Sequence, residues 1–271
     1  MIATTTRRGG DARAPSARYR FRDVARMEWI KLRTLRSTWW TLAVTVIGAV
    51  ALGAVIGLNT HNAAGDLTNN ALAGMVPGLL LAGVLGVLCV TGEYSSGMIR
   101  ATLAAVPRRT VVLAAKAAVL GTVLLAAGEA AAFVAFLAGG KALRHGIVGP
   151  SLGQPDVLRA VLLTGTAPCL IGLLGMGLGA IIRHTPAAIA VLAGGVYVVP
   201  IFLGAINHGV VADMPILIVG NSLSATKPVP CGGAAASCPH FPSPWAGLAL
   251  LCLYTAVALV AGGWLLVRRD A

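Results

Sequence analysis

The chain has 271 residues, of which 57% are apolar and only 11% charged, where a soluble domain carries about 25% charged residues. That balance excludes a water-soluble globular enzyme and points to an integral membrane protein. The net charge of +12, from 21 Lys and Arg against 9 Asp and Glu, reads as a topology signal, because basic residues resist translocation and collect on the cytoplasmic side. No nucleic acid is expected as a partner, since the charges do not sit on a folded soluble face.

Residues 1–18 are rich in Arg, Thr, Gly and Pro and are expected to form a disordered cytoplasmic arm. The N-terminus has neither the early apolar core nor the cleavage site of a signal peptide, so the first span is expected to act as the insertion signal. Over 19–38 the pattern changes. Phe21, Val24, Ala25, Leu32, Leu35 and Trp39 form an apolar stripe at helical spacing, with Arg22, Arg26 and Arg33 on a neighbouring basic stripe. A helix lying in the inner headgroup layer, in contact with membrane lipids, has this pattern. A soluble helix packed on a partner is the alternative.

Spanning helices need about 20 predominantly apolar residues. Six runs qualify: 39–58, 71–90, 111–138, 157–182, 186–206 and 245–267. They predict an all-α transmembrane domain over 39–267, followed by a short cytoplasmic tail, 268–271. With the N-terminus inside, only Lys141, Arg144, Arg159 and Lys227 face outward, and the other 17 of the 21 basic residues are cytoplasmic or at that boundary. Both termini are therefore expected in the cytoplasm.

Between the second and third runs lies the segment from Gly92 to Arg109. Read at 100° per residue, Glu93, Gly97, Arg100 and Ala104 share a small or charged face, while Met98, Ile99, Thr102 and Leu103 share the other. A short interfacial helix is expected, ending where Pro107 disfavours helix at Val106. Arg108 and Arg109 then mark the cytoplasmic edge of the third span.

Glu129 is the one acid placed inside a span, where an unpaired charge costs roughly 2.5–3.5 kcal/mol on insertion scales. It is expected to face the bundle interior or a wet cavity and is a candidate pathway residue; a protonated or hydrogen-bonded packing role is the alternative. Lys116 lies thirteen residues earlier, about 20 Å along a helix, too far for a direct pair. Gly172, Gly175, Gly177 and Gly179, with Gly194 and Gly195, are expected to let helices approach closely within one subunit.

The outer segment 207–244 is too long for a plain turn, and its apolar stretch 214–219 is too short to span. A re-entrant or interfacial hairpin before the last helix fits this best. Cys231 and Cys238 form a candidate disulfide there, in an oxidising compartment, whereas Cys89, Cys169 and Cys252 read as small apolar fillers. The five histidines are scattered over loops, and no metal site is expected.

Two segments carry a family resemblance. Met27 to Trp40, with Glu28, Lys31 and Arg36, resembles the Glu-x-x-Lys…Arg-Ser entry segment of the permease subunits of type-2 ABC transporters, exporters of the ABC-2 family. Gly92 to Arg100 is similar to that family's Glu-Tyr/Phe-x-x-Gly-x-x-Arg segment after the second span. The resemblance implies that Glu28, Lys31 and Arg36 belong to an interfacial connecting helix. It also implies that Glu93, Tyr94, Gly97, Met98 and Arg100 belong to a coupling helix docking on a cytoplasmic ABC ATPase subunit, and that the hairpin before the last span caps the pathway. For Lys31 and Arg36, simple snorkelling at the membrane surface is the alternative.

Nucleotide chemistry would then reside in the partner, which would hold ATP and Mg. This chain has no Gly-x4-Gly-Lys-Ser/Thr phosphate loop; Gly140-Lys141 lacks the earlier Gly and continues with Ala142. No cofactor and no enzymatic activity are expected in it. A half-transporter of six helices predicts a second permease copy, as homodimer or homologous partner. Few charges or aromatics in the spans favour an apolar or amphipathic cargo such as a drug, lipid or peptide. The Ala/Gly-rich, Arg-over-Lys usage suggests a bacterial plasma membrane. A different class of function, a non-transporting immunity or regulatory membrane protein that binds an amphiphile, fits the same features.

Overall fold

The computed structural model describes residues 20–34, 36–60, 66–106, 108–143, 149–198, 223–226 and 243–268. All regular structure among these is helical. In chain order the helices are α1 (Phe21–Thr34), α2 (Arg36–Leu58), α3 (Leu67–Leu72), α4 (Val76–Ser95), α5 (Met98–Ala105), α6 (Arg109–Lys141), α7 (Pro155–Ile182), α8 (Thr185–Ala193) and α9 (Pro244–Arg268). A single 3₁₀ turn, Ala73–Met75, joins α3 to α4, so Leu67–Ser95 forms one apolar rod.

Among the described residues, five helical stretches are long and apolar enough to cross a membrane: α2, the α3–α4 rod, α6, α7 and α9, of 23, 29, 33, 28 and 25 residues. The chain is an all-helical protein built as a multi-pass membrane protein. Each of these stretches contains one of the expected apolar runs and extends past it. The extension is clearest in the second, expected over 71–90 and found over Leu67–Ser95. Its polar ends stay helical because they have partners. Asp66 caps the start by accepting from the Asn69 backbone N–H at 3.0 Å, and Glu93 in the last turn is ion-paired. The expected span 186–206 begins with α8 and continues as a π-helical stretch, Gly194–Val198. Residues 185–198 would reach about 21 Å at 1.5 Å per residue, and 199–206 lie outside the described residues.

Packing is organised around α7, which contacts α4, α6, α8 and α9, while α2 lies on α6 and α4. Most of α7 is buried, whereas only a small part of α2 and α9 is. Their outer faces carry Trp40, Ile47, Val260 and Trp264, side chains suited to lipid rather than water. Along the α4–α7 seam, glycine is required by contact. A Cβ on Gly86 would collide with the Gly172 carbonyl, and one on Gly175 with the Gly83 carbonyl. The glycine-rich face of α7 thus packs within the chain, as expected from its sequence. At Gly194 and Gly195 a Cβ would meet nothing within 4 Å among the described residues.

α1 turns part of its expected apolar stripe inward, with Val24 and Leu32 buried and Ala25 packed beside them. Its buried residues are Val24, Glu28 and Leu32, spaced four apart on one face turned to α6, whereas Phe21, Trp29 and Ile30 are exposed. A carboxylate sits in the middle of the packed face. It can do so because two lysines meet it there.

Candidate functional site

Glu28 on α1, Glu93 in the last turn of α4 and Lys116 in the second turn of α6 are all buried, at 2%, 8% and 4% exposure. Lys31, one turn after Glu28, closes the group from its more exposed side. The Lys116 Nζ donates to Glu28 Oε2 at 2.5 Å and to Glu93 Oε1 at 2.7 Å. The Lys31 Nζ donates to Glu93 Oε1 at 2.8 Å, Glu28 Oε1 at 3.2 Å and the Thr102 hydroxyl of α5 at 3.4 Å. Two carboxylates and two ammonium groups therefore form a neutral, alternating cluster that joins four helices. Glu28 uses one oxygen for each lysine. Glu93 uses Oε1 for both, and its Oε2 is buried without a hydrogen-bond partner among the described residues.

Burying four charges is costly unless each is paired, and removing one partner strands the others. The cluster thus specifies where α1 sits against the ends of α4 and α6. Sequence position alone places Lys116 only at the cytoplasmic boundary of the third span. The signal that could have found its role is a lysine inside a long apolar run, which needs a partner from another element.

α5 is the short helix expected after the second long rod, but it begins later and faces differently. α4 ends at Ser95, and Gly97 takes φ +70°, the left-handed conformation, after which α5 starts at Met98. A helical register drawn continuously from Glu93 to Ala104 does not survive that break. Glu93 accordingly belongs to the end of α4 and points into the cluster, not onto a charged face of α5. The inner face of α5 carries Ile99 and Thr102, followed by Val106 just past its end, all buried. Met98, Arg100, Ala101 and Ala104 are exposed. Met98, grouped with the apolar face by its sequence, is on the outer one.

Gly97 is required for its backbone: a Cβ there would meet nothing within 4 Å, yet the left-handed conformation costs an L-residue roughly 1–2 kcal/mol. Gly97→Ala should lower stability by about that amount and Gly97→Asn by less, since Asn tolerates this region. Thermal unfolding of the detergent-solubilised variants checks the order. Equal stability of all three would mean that the turn relaxes freely.

Tyr94 lies beside the cluster but has a different partner, the Arg183 guanidinium, 5.1 Å from its ring centroid. Arg183 ends α7 in a left-handed conformation, φ 59°, and donates from Nη2 to the Leu265 carbonyl at 3.2 Å. Arg109 donates to the Leu266 carbonyl at 2.9 Å. Both arginines thus donate to carbonyls in the last turn of α9. Arg36 is exposed at the start of α2 and takes no part in the cluster, so only Glu28 and Lys31 of the first segment enter it.

Glu129 is elsewhere, in the half of α6 remote from the cluster, packed against Gly165 of α7. A Cβ on Gly165 would come within 2.6 Å of the Glu129 Cδ. The side chain is half-buried, and Oε2 is buried without a hydrogen-bond partner among the described residues. The helix interface, not a charge partner, holds this group. Cys231 and Cys238 lie outside the described residues. The remaining cysteines, Cys89, Cys169 and Cys252, are free thiols.

No family model matches the chain, and no curated protein matches it at a significant level.

Proposed function

We propose that the chain is the membrane permease subunit of an ATP-driven exporter of the type-2 ABC class, moving an apolar or amphipathic cargo outward by alternating access. The supporting observation is the meeting of the two segments that resemble that family. Lys31, of the Glu-x-x-Lys segment, bonds at 2.8 Å to Glu93, of the Glu-Tyr-x-x-Gly-x-x-Arg segment, and reaches Thr102 of α5. A push on α5 would pass through short, buried, charged contacts into α1, α4 and α6 together. Paired charges transmit displacement well because separating them strands a buried carboxylate.

In this reading the cluster end of the bundle is cytoplasmic, with both termini on that side of a bacterial plasma membrane. The segment 186–206, which starts in α8, is then the fifth of six spans. ATP and Mg bind a separate ATPase subunit, which docks on the exposed face of α5. A second permease copy or a homologous permease completes the pathway, and Glu129 borders it in the outer half of α6. The other reading, a non-transporting immunity or regulatory protein that binds an amphiphile, would leave the open face of α5 without a task.

The test uses that face and not Glu93, whose loss would disturb the fold. Arg100→Glu and Met98→Asp should abolish copurification of the ATPase subunit and cargo-stimulated hydrolysis, while the permease elutes as monodispersely as the parent. Unchanged assembly and turnover in both variants would remove the coupling role of α5. Absence of any copurifying ATPase with the unaltered chain would favour the regulatory reading.

A further inference from the structure

At the end of the bundle away from the charge cluster, residues 223–226 lie across the start of α3 and the outer part of α7. The Asp66 carboxylate accepts from the Thr226 backbone N–H at 2.5 Å and from the Thr226 hydroxyl at 2.8 Å. Arg159 Nη2 of α7 donates to the Ala225 carbonyl at 3.2 Å, and the Ser224 hydroxyl donates to the Asn69 side-chain oxygen. Leu223 and Ser224 are buried here, at 1% and 5% exposure.

Beneath them is a cavity of about 20 Å³, whose walls include Leu72, Met75, Ala167 and Leu223 and two polar residues, Thr164 and Ser224. A single water needs roughly 10–15 Å³, so one fits and an organic ligand does not. Thr164 is only 7% exposed, and its hydroxyl has no hydrogen-bond partner among the described residues. Burying a hydroxyl in that state is costly. The Ser224 hydroxyl spends its proton on Asn69 and is left as an acceptor. The Thr164 carbonyl is a second acceptor, because Pro168 at i+4 has no N–H to donate to it. Water matches this set, since one molecule accepts from one group while donating to two others. Thr164 follows Pro155, the first residue of α7, by nine positions, about 14 Å at 1.5 Å per residue. The cavity is therefore well inside the span.

We propose that this cavity binds one ordered water molecule, which bridges Thr164 of α7 to Ser224 and fastens residues 223–226 to the bundle interior. The same molecule repairs the gap that Pro168 leaves in the hydrogen bonding of α7, a role that ordered waters fill in membrane helices. The site does not depend on the permease reading.

The test is radiolytic footprinting of the full chain in lipid nanodiscs, in which an X-ray pulse splits water into hydroxyl radicals that oxidise adjacent side chains. Met75 is the reporter, because it lines the cavity and is only 1% exposed. Met176 is the control, at 0% exposure and twelve positions beyond Thr164 on α7. Met75 should oxidise several-fold faster than Met176. Thr164→Val, nearly isosteric but without the hydroxyl, should bring Met75 down towards the Met176 rate. It should also speed deuterium exchange of the 223–226 amides about threefold or more, as expected for loss of one neutral hydrogen bond. Thr164→Ser should leave both rates at parent values. Equal oxidation of Met75 and Met176 in the parent overturns the site whatever the variants do, and would mean that another group of the chain satisfies Thr164. Fast Met75 oxidation that persists in the Val variant overturns Thr164 as the ligand. Slowed oxidation in that variant with unchanged exchange overturns the bridge to residues 223–226.

Discussion

Replacing Lys116 by Met should lower the stability of the solubilised chain by about 3–5 kcal/mol, the cost of breaking a buried ion pair from one side. Met keeps most of the volume and apolar stem but leaves Glu28 and Glu93 facing each other with Lys31 as their remaining cation. Lys31 is poorly placed to serve both, because its side chain is 24% exposed and one of its donors already reaches Thr102. Neutralising the stranded partners should restore much of the loss. The triple variant Lys116→Met, Glu28→Gln, Glu93→Gln is expected to be more stable than the single one, because the desolvation penalty disappears with the charges. Chemical denaturation of the three proteins in one detergent decides the matter. A single variant as stable as the parent would mean that the cluster contributes nothing to the position of α1.

A larger disruption is expected from Gly86→Val. The added Cβ would overlap the Gly172 carbonyl and crowd the Met176 backbone N, and backbone cannot swing aside as a long side chain can. Helices α4 and α7 would have to part along a seam that also buries Ala82, Leu85 and Val87 against Ile171, Leu174 and Met176. Ordinary overpacking costs about 1–3 kcal/mol; separation of the two most intimately packed helices should exceed this and prevent recovery of monodisperse protein. Gly48→Ala is the control. Its Cβ would meet nothing within 4 Å, and relief of a mid-helix glycine should stabilise α2 by roughly 0.5–1 kcal/mol. Normal yield and elution of Gly86→Val would sink the account of the seam.

Five spanning stretches, their order and the close-packing glycines of α7 could be read from the residues alone. Each depends on local composition and a local period: twenty or so apolar residues suffice to define a span, and small residues suffice to define a face that can be approached. The span ends were legible only to within a few residues, since Asn69, Asn70 and Glu93 look like boundaries until their partners are known. Tertiary structure alone decided the rest. Apart from Glu28, one helical turn from Lys31, the partners of Lys31 and Lys116 lie 23 to 88 residues away in the chain, and no period links them. A left-handed turn at Gly97 reset the phase of α5, so Glu93 went to the cluster and Met98 to the surface. Glu129 could be recognised as an acid in an apolar helix, but its neighbour Gly165 could not be foreseen. Local sequence determines which segments become helices and which residues share a face; long-range packing determines which face meets which, because that choice minimises stranded charge and steric overlap over the whole bundle at once.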